Sequence, residues 1–493
     1  MLKIDPSKKE FIKNASAGSI SPVYAEMELL PPRQAFEGIE SPFSFLFESI
    51  KGPEKIARYS FMGAAPFMVF RVRDGSVEMT RKGERLGSSG HPLKKLRELL
   101  SAYTVSAPEG LPPFSGGAAG MISYDFVKYL ERLRMNAADD LGIPDAHFML
   151  FDTVAAFDHK LQKTFLISCP GAEEVVCGDI EAAGNWDSLY DRACEKISAL
   201  HEKIMSPSPV RSPAAKRSPV QIIHEMSKAY YMNIVKRAKE YIRAGDIFQA
   251  NLSQRVSADI GATPAWEIYK VLSGINPSPF AAYLDMGGYQ IASSSPERLV
   301  KVIGRTVETR PIAGTRPRGA DAEADRKMTA DLLLNEKERA EHLMLIDLER
   351  NDLGRISDYS TVEVDELMIT EEYSHVIHIV SNVKGAIVKG KDCFDVIRAT
   401  FPGGTITGVP KVRCMEIIDE LEPVARGPYT GSAGYIGFSG NMDLNIIIRT
   451  FVIKDGIAYV QAGAGIVADS DPEKEYYETL KKAEALIKTL ESI

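Results

Sequence analysis

A chain of 493 residues is too long for one simple core and suits two or three lobes, or one large α/β domain with an appended region. Its hydrophobic share of 44% and charged share of 26% are those of a soluble globular protein. The net charge of −8 disfavours a nucleic-acid-binding surface while leaving room for a local basic pocket.

The five cysteines are odd in number and form no Cys-x-x-Cys pair, so reduced thiols are expected rather than a disulfide framework or a zinc site. No apolar run approaches a membrane span, and the first residues lack the apolar stretch of a signal peptide. A cytoplasmic protein that meets neither membrane nor nucleic acid is expected.

In chain order, residues 67–73 and 77–81 read as strands joined by Asp74-Gly75-Ser76, and Asp-Gly is a strong hairpin signal. Residues 148–157 and 164–168 read as further strands. The stretch 206–220 carries four prolines among serines and basic residues and reads as a linker. It divides the chain into an N-terminal regulatory or structural lobe, 1–205, and a catalytic lobe, 221–493. The second lobe opens with a helix over 225–244 that ends near Gly245. Strands follow at 281–284, 289–292, 299–302 and 306–308, then one long helix over 321–348. Strands at 376–383, 434–438, 444–452 and 458–462 and a closing helix from residue 472 complete the pattern. Hairpins outnumber strand–helix–strand crossovers, so the expected class is α+β, with large antiparallel sheets flanked by helices.

Several segments carry chemistry. Glu338-Arg-Ala-Glu341 and Glu475-Tyr-Tyr-Glu478 each place two carboxylates on one helix face, where like charges repel. A lone pair of this kind is most often a solvated helix face. A hard divalent cation would relieve the repulsion, and Mg²⁺ takes one or two carboxylates with water and substrate oxygens. Arg310-Pro-Ile-Ala-Gly-Thr-Arg-Pro-Arg-Gly319 joins turn residues to three arginines suited to carboxylate capture; it reads equally as a plain turn. Phe401-Pro-Gly-Gly-Thr-Ile-Thr-Gly-Val-Pro-Lys411 can offer backbone N–H groups to an anion at a helix start, or simply connect. Gly463-Ala-Gly465 allows close approach of backbone to a ligand, or forms a bulge. His375 and His378 fall on opposite faces of a strand, which argues against a shared metal; one inward histidine could serve as an acid or base, or be a core residue.

In order along the chain, Ala244-Gly-Asp-Ile-Phe-Gln249, Ser294-Ser-Pro-Glu297, Pro311-Ile-Ala-Gly-Thr315, Glu341-His-Leu-Met-Leu-Ile-Asp-Leu-Glu-Arg-Asn-Asp352, the 403–411 loop and Gly463-Ala-Gly465 with Glu475 and Glu478 resemble the chorismate-utilising enzymes. Ser21-Pro-Val-Tyr24, Phe47-Glu-Ser49 and Arg58-Tyr-Ser-Phe-Met-Gly63 are similar to the N-terminal region of anthranilate-forming members. The resemblance implies a two-lobed chorismate-binding fold. It implies Glu341 and Glu478 as Mg²⁺ ligands, supported through water by Glu338 and Glu475, with the metal holding the ring carboxylate of chorismate. Gly314, Thr315, Tyr429, Arg449, Gly463, Ala464 and Gly465 are the implied substrate contacts, Arg449 pairing with the enolpyruvyl carboxylate. Glu297 is the implied acid at the departing ring hydroxyl and His378 the residue that assists pyruvate loss.

Gln249 stands where water-adding members carry a lysine base, and a neutral amide cannot deprotonate water, so ammonia is the expected nucleophile. Ala313 stands where many aminodeoxychorismate-forming members carry lysine and leaves no side-chain nucleophile. The expected activity is therefore amination of chorismate, followed by pyruvate elimination to anthranilate, the first step of tryptophan biosynthesis. The alternative is 4-amino-4-deoxychorismate for folate, to which Gln249-Ala-Asn-Leu, Gly403-Gly-Thr-Ile-Thr and Gly434-Tyr-Ile-Gly-Phe point. Ammonia is expected from a separate glutamine amidotransferase subunit in a heterotetramer, since the chain has no Gly-x-Cys-x-Gly turn. Ser49, Pro279, Phe280 and Ala281 are the implied tryptophan-inhibitor contacts, although Asn276-Pro-Ser-Pro-Phe-Ala281 departs from the usual Tyr-Met ending.

Overall fold

The computed structural model describes residues 2–179, 184–206, 220–318, 321–372 and 376–493. Most of the stretch expected to be a linker, residues 207–219, and His375 lie outside the described residues. The described strands form two sheets, of 13 and 12 strands. Every pairing within them is antiparallel, as the hairpin-rich pattern predicts. Both sheets draw strands from either side of the 207–219 stretch: Ser44–Glu48 pairs with Phe280–Asp285, and Gly117–Ile122 with Ser432–Gly437.

The sheets pack face to face over a core that includes Phe45, Phe61, Phe114, Met149, Phe151 and Tyr435. Helices cover both outer faces. Lys8–Ser16, Trp186–Met205, Ala265–Ile275 and Pro472–Glu491 pack on the 13-stranded sheet, and Pro92–Ser101, Glu336–Gly354 and Cys393–Thr400 on the other. The strand Ala146–Phe151 shows how sequence produces these layers. Phe148 and Leu150 enter the core under the helices, while Met149 and Phe151 enter the core between the sheets. A large apolar side chain so buried contributes roughly 1.5–3 kcal/mol.

The expected hairpin is Met68–Arg73 with Ser76–Arg81. Its two turn residues, Asp74 and Gly75, have φ of 49° and 79°, the left-handed pair that a two-residue turn matching the sheet twist requires. The helix expected over 225–244 is Lys228–Ala244, closed by Gly245 in the left-handed conformation.

Three expectations are corrected. The strand expected at 148–157 is two strands, Ala146–Phe151 and Thr153–Asp158, which bend at Asp152 from the 12-stranded into the 13-stranded sheet. The strand expected at 444–452 likewise divides into Met442–Asn445 and Thr450–Lys454, one in each sheet. The single helix expected over 321–348 is two, Ala322–Leu334 and Glu336–Gly354, because Asn335 adopts ψ 110° and its side chain accepts from the Glu338 N–H at 3.1 Å.

The five cysteines are free thiols, as expected. No helix among the described residues is long and apolar enough to cross a membrane.

Candidate active site

The chain passes between the sheets again at Pro296-Glu297, between Gln290–Ser295 and Arg298–Ile303. This passage lies against the one at 446–449: the Ile446 N–H donates to the Glu297 carbonyl at 3.0 Å. Two sheet crossings thus meet, and each carries a charged residue of the expected site, Glu297 on one and Arg449 on the other.

Glu297 is 7% exposed. Burial pushes its carboxyl up to about 7, with the Thr405 hydroxyl and the Lys482 charge opposing. A carboxyl so placed keeps a proton near neutrality. Thr405 comes from the glycine-rich 403–411 loop and Lys482 from the closing helix, so three distant segments meet at one acid.

Arg449 takes φ of 53° at its crossing. Its Nη1 donates to the Lys482 carbonyl, which leaves most of its five donors for other acceptors. Burial lowers its pKa; Tyr429 and Glu478 act the other way. Among the described residues it forms no ion pair. A desolvated guanidinium without a carboxylate partner is a binding demand for an anion.

His378 lies on the strand Val376–Ala386, opposite Thr315 on one side and Glu371 on the other. Its Nδ1 lies 3.1 Å from the Gly314 carbonyl. A carbonyl only accepts, so Nδ1 carries the hydrogen and Nε2 is the basic nitrogen of the neutral ring. Burial lowers the pKa of this ring; the Gly314 bond raises it, the Arg449 charge lowers it further and Glu371 raises it. The imidazole is therefore neutral at neutral pH.

Gly314 sits at a bulge with φ of 63°. A Cβ there would lie 2.8 Å from Leu332 Cδ1 and 2.9 Å from Glu338 Oε2. The segment expected as a turn is the bulged strand Ile312–Pro317, and only glycine at 314 lets it hold His378 on one side and approach Glu338 on the other. Thr315 joins the site by its backbone pairing with His378.

On the opposite side, Gly463 and Gly465 face Ser253 and Asn251 in the strand Gln249–Asp259. A Cβ at 463 would overlap Asn251 Oδ1 and lie 2.8 Å from the Tyr429 hydroxyl; one at 465 would overlap Gln249 Nε2. The two glycines thus admit Gln249, Asn251 and Tyr429 to the site. Ala464 points to the other face, into the core beside Tyr231, and offers the site backbone alone. Gln249 Oε1 and Asn251 Oδ1 are buried acceptors with no hydrogen-bond partner among the described residues, and such orphans call for a donor from outside the protein.

The carboxylate pairs border this arrangement from two helices. Glu338, at the start of Glu336–Gly354, is paired with Arg316 at 3.1 Å, and Glu341 stands one turn further on. Glu478 is paired with Lys482 at 2.8 Å, and Lys482 also donates to the Gly463 carbonyl at 3.1 Å. Glu475 lies near Tyr231. Among the described residues no three His, Cys, Asp or Glu side chains are grouped to hold a metal by themselves. Mg²⁺ does not need three: it binds through one or two carboxylates and fills its shell with water and substrate oxygens. Glu341 and Glu478 lie in the second turn of their helices and offer hard oxygen donors of the kind that ion takes.

Of the residues that pattern and resemblance single out, Arg449 lies within charge range of His378, Tyr429 and Glu478, and Gly314 lies against His378 and Glu338, whereas the four carboxylates form no single group of three or more among the described residues. Asn251, Thr405 and Lys482 were not expected. Lys482 has a sequence signal, four residues after Glu478; Asn251 and Thr405 acquire their places only through strand register and loop packing.

Ser49, Pro279, Phe280 and Ala281 lie apart from this site and line one cavity of about 540 Å³. The Ser49 hydroxyl is placed between the carbonyls of Tyr59, at 2.8 Å, and Pro279, at 3.2 Å. Arg298, next to Glu297, lines the same cavity, paired with Asp443 at 2.9 Å and stacked 4.9 Å from the Phe280 ring.

The fold is that of a chorismate-utilising enzyme. The chain belongs to the chorismate binding enzyme family, whose model matches residues 42–488. It is 44% identical over 477 residues to anthranilate synthase component 1 of Acetivibrio thermocellus, covering 95% of this chain and 94% of that one. It is 43% identical over 446 residues to aminodeoxychorismate synthase component 1 of Bacillus subtilis, covering 90% and 91%. The crystal structure of anthranilate synthase component I from Streptococcus pneumoniae TIGR4 superposes with a TM-score of 0.76 at 36% identity, covering 87% and 92%.

Proposed function

We propose that this chain is the synthase subunit of an anthranilate synthase, aminating chorismate with ammonia and eliminating pyruvate. The observation that carries the reading is the trio of Arg449, a buried cation with no ion pair among the described residues, Glu297, an acid that keeps its proton, and His378, a neutral base. Chorismate is a dicarboxylate with a ring hydroxyl that must leave and an enolpyruvyl group that must be lost. Arg449 grips the enolpyruvyl carboxylate through a charge-assisted fork. Glu297 gives its proton to the C4 hydroxyl, which departs as water while ammonia bonds to C2. His378, basic at Nε2, takes up a proton as pyruvate leaves and the ring becomes aromatic. The orphaned Gln249 and Asn251 oxygens suit a nucleophile that carries N–H donors, and neither residue can deprotonate water.

Glu341 and Glu478 would hold Mg²⁺, with Glu338 and Glu475 bonding its waters. When bound, the ion would neutralise the ring carboxylate. Ammonia would come from a glutamine amidotransferase subunit, the two chains assembling as a heterotetramer. The cavity at Ser49, Pro279, Phe280 and Ala281 has the size and the mixed polar and aromatic lining for tryptophan, a feedback inhibitor. The second reading, 4-amino-4-deoxychorismate as product, is supported by a 43% identity to the Bacillus subtilis relative, nearly equal to the 44% to the Acetivibrio thermocellus one.

Incubation with chorismate, Mg²⁺ and an ammonium salt decides between them. Anthranilate with pyruvate is the expected product. Accumulation of aminodeoxychorismate with no pyruvate would move the protein to the second reading. Absence of turnover would remove both.

A further inference from the structure

Behind the site, one buried arginine has every donor committed. Arg426 is 2% exposed and stands just beyond the helix Lys411–Leu421. Its Nε and Nη2 donate to the two oxygens of Glu422, at 2.9 and 2.7 Å. Nη2 also donates to the Asn251 carbonyl at 2.6 Å. Nη1 donates to the Ile406 carbonyl at 3.1 Å and to the Thr430 hydroxyl at 3.2 Å. These bonds use all five N–H groups of the guanidinium. The Tyr124 ring lies 4.8 Å from it and the Tyr429 ring 5.6 Å.

The acceptors belong to different walls of the site. Asn251 carries one orphaned buried oxygen, and Gln249, on the same strand, carries the other. Ile406 follows Thr405 in the 403–411 loop, beside Glu297. Thr430 follows Tyr429, whose hydroxyl reaches Gly463. Glu422, 4% exposed, extends the hold, because its Oε1 accepts from the Ser253 N–H at 2.8 Å and the Ser253 hydroxyl at 2.9 Å. The strand and the loop are also tied directly: the Asn251 N–H donates to the Thr407 carbonyl at 2.8 Å. A buried ion pair is weak evidence for stability, since desolvation offsets the attraction. What a planar fork with five fixed directions does supply is geometry.

We propose that Arg426, held by Glu422, is a positioning residue for the amination step. It sets the strand end that carries Gln249 and Asn251 against the 403–411 loop and Tyr429. The nucleophile on one wall and Glu297 on the other then meet the same substrate in register. Arg426 acts through Asn251 and the loop, while Arg449 is anchored separately, on the Lys482 carbonyl. The proposal rests on the reading of the site as an aminating one.

The test uses the full-length protein. Arg426→Lys keeps a charge beside Glu422 but has three donors where arginine has five. It should lower kcat/KM for ammonium by roughly 10²-fold, the loss that a misplacement of about 1 Å brings, and leave KM for chorismate unchanged. A double variant, Glu422→Gln with Arg426→Gln, separates position from stability. Removing one partner strands a buried charge, whereas removing both does not. The double variant should therefore melt above either single Gln variant and still show the ammonium defect. Native ammonium dependence in Arg426→Lys, or its return in the double variant along with stability, would overturn the proposal. Should Arg426→Lys fail to fold, the double variant carries the kinetic test. Hydrogen exchange needs no turnover: peptides covering 249–253 and 403–411 should exchange faster in the double variant, and the strand Ser432–Gly437 at its native rate. Native exchange in the first two peptides would overturn the hold itself. Absence of turnover in the native protein, with the exchange change present, would overturn the aminating reading and leave the hold standing.

Discussion

At the residue scale, the site depends on placements that few side chains could share. Gly314 is held at φ 63° against Leu332 and Glu338. Gly314→Ala should lower stability by about 1–3 kcal/mol, from backbone strain and a displaced neighbour, and release His378 from its carbonyl partner. Denaturant unfolding and chorismate turnover check the two effects together, and a variant that kept both would contradict the geometry. Glu297 makes a second case. Its folded-state pKa is raised, so the native state binds its proton more tightly than the unfolded chain. The stability from this group is fully present below the unfolded value and is lost as pH rises toward about 7. Glu297→Gln removes that penalty along with the acid. It should be at least as stable as the native protein at pH 8 while losing roughly 10²–10⁴ in kcat, read by thermal unfolding and product formation.

At the scale of elements, the two halves of the long helical stretch meet at Asn335, whose side chain caps the helix that carries Glu338 and Glu341. Asn335→Ala should cost about 1 kcal/mol in denaturant unfolding, and it should loosen Glu338 beside Gly314. This break also shows where sequence reading ends. Asn is a modest helix former, so it does not interrupt an otherwise continuous helical pattern; only its observed ψ makes it a cap. The Asp74-Gly75 hairpin was legible because a two-residue turn needs that chemistry locally. The divisions of 148–157 and 444–452 were not, since a strand buried on both faces reads as one apolar run whichever sheet each half joins. The same distinction holds in the site. The glycine loops, Glu297 and His378 stand out by motif, whereas Asn251 opposite Gly465 and Thr405 beside Glu297 owe their places to register and packing.

Across the whole molecule, a line of ion pairs runs from the cavity to the site. Lys55 at the cavity meets Glu366 at 2.5 Å; Glu366 meets Arg310 at 2.6 Å; Arg310 meets Glu371 at 2.5 Å, and Glu371 is the strand partner of His378. Arg310 and Glu371 are both buried, so their pairing differs from the surface link at Lys55. Arg310→Ala would remove the buried charge-assisted bond to Glu371 and should cost about 1–3 kcal/mol in denaturant unfolding. The outer link is the weaker. Glu366→Gln breaks the connection from Lys55 to Arg310 but leaves the Arg310–Glu371 pair intact, and should change stability by about 1 kcal/mol or less. Arg310 also stands just before the strand Ile312–Pro317 that carries Gly314, so the line ends on the strand that orients His378. With tryptophan as the cavity ligand, Glu366→Gln should therefore keep basal turnover and lose sensitivity to tryptophan. Inhibition curves of the two proteins, measured with tryptophan binding by calorimetry, distinguish the outcomes. Binding retained with inhibition lost places the coupling in the ion line; unchanged inhibition would assign it instead to Arg298, which joins the cavity to Glu297 directly along the chain.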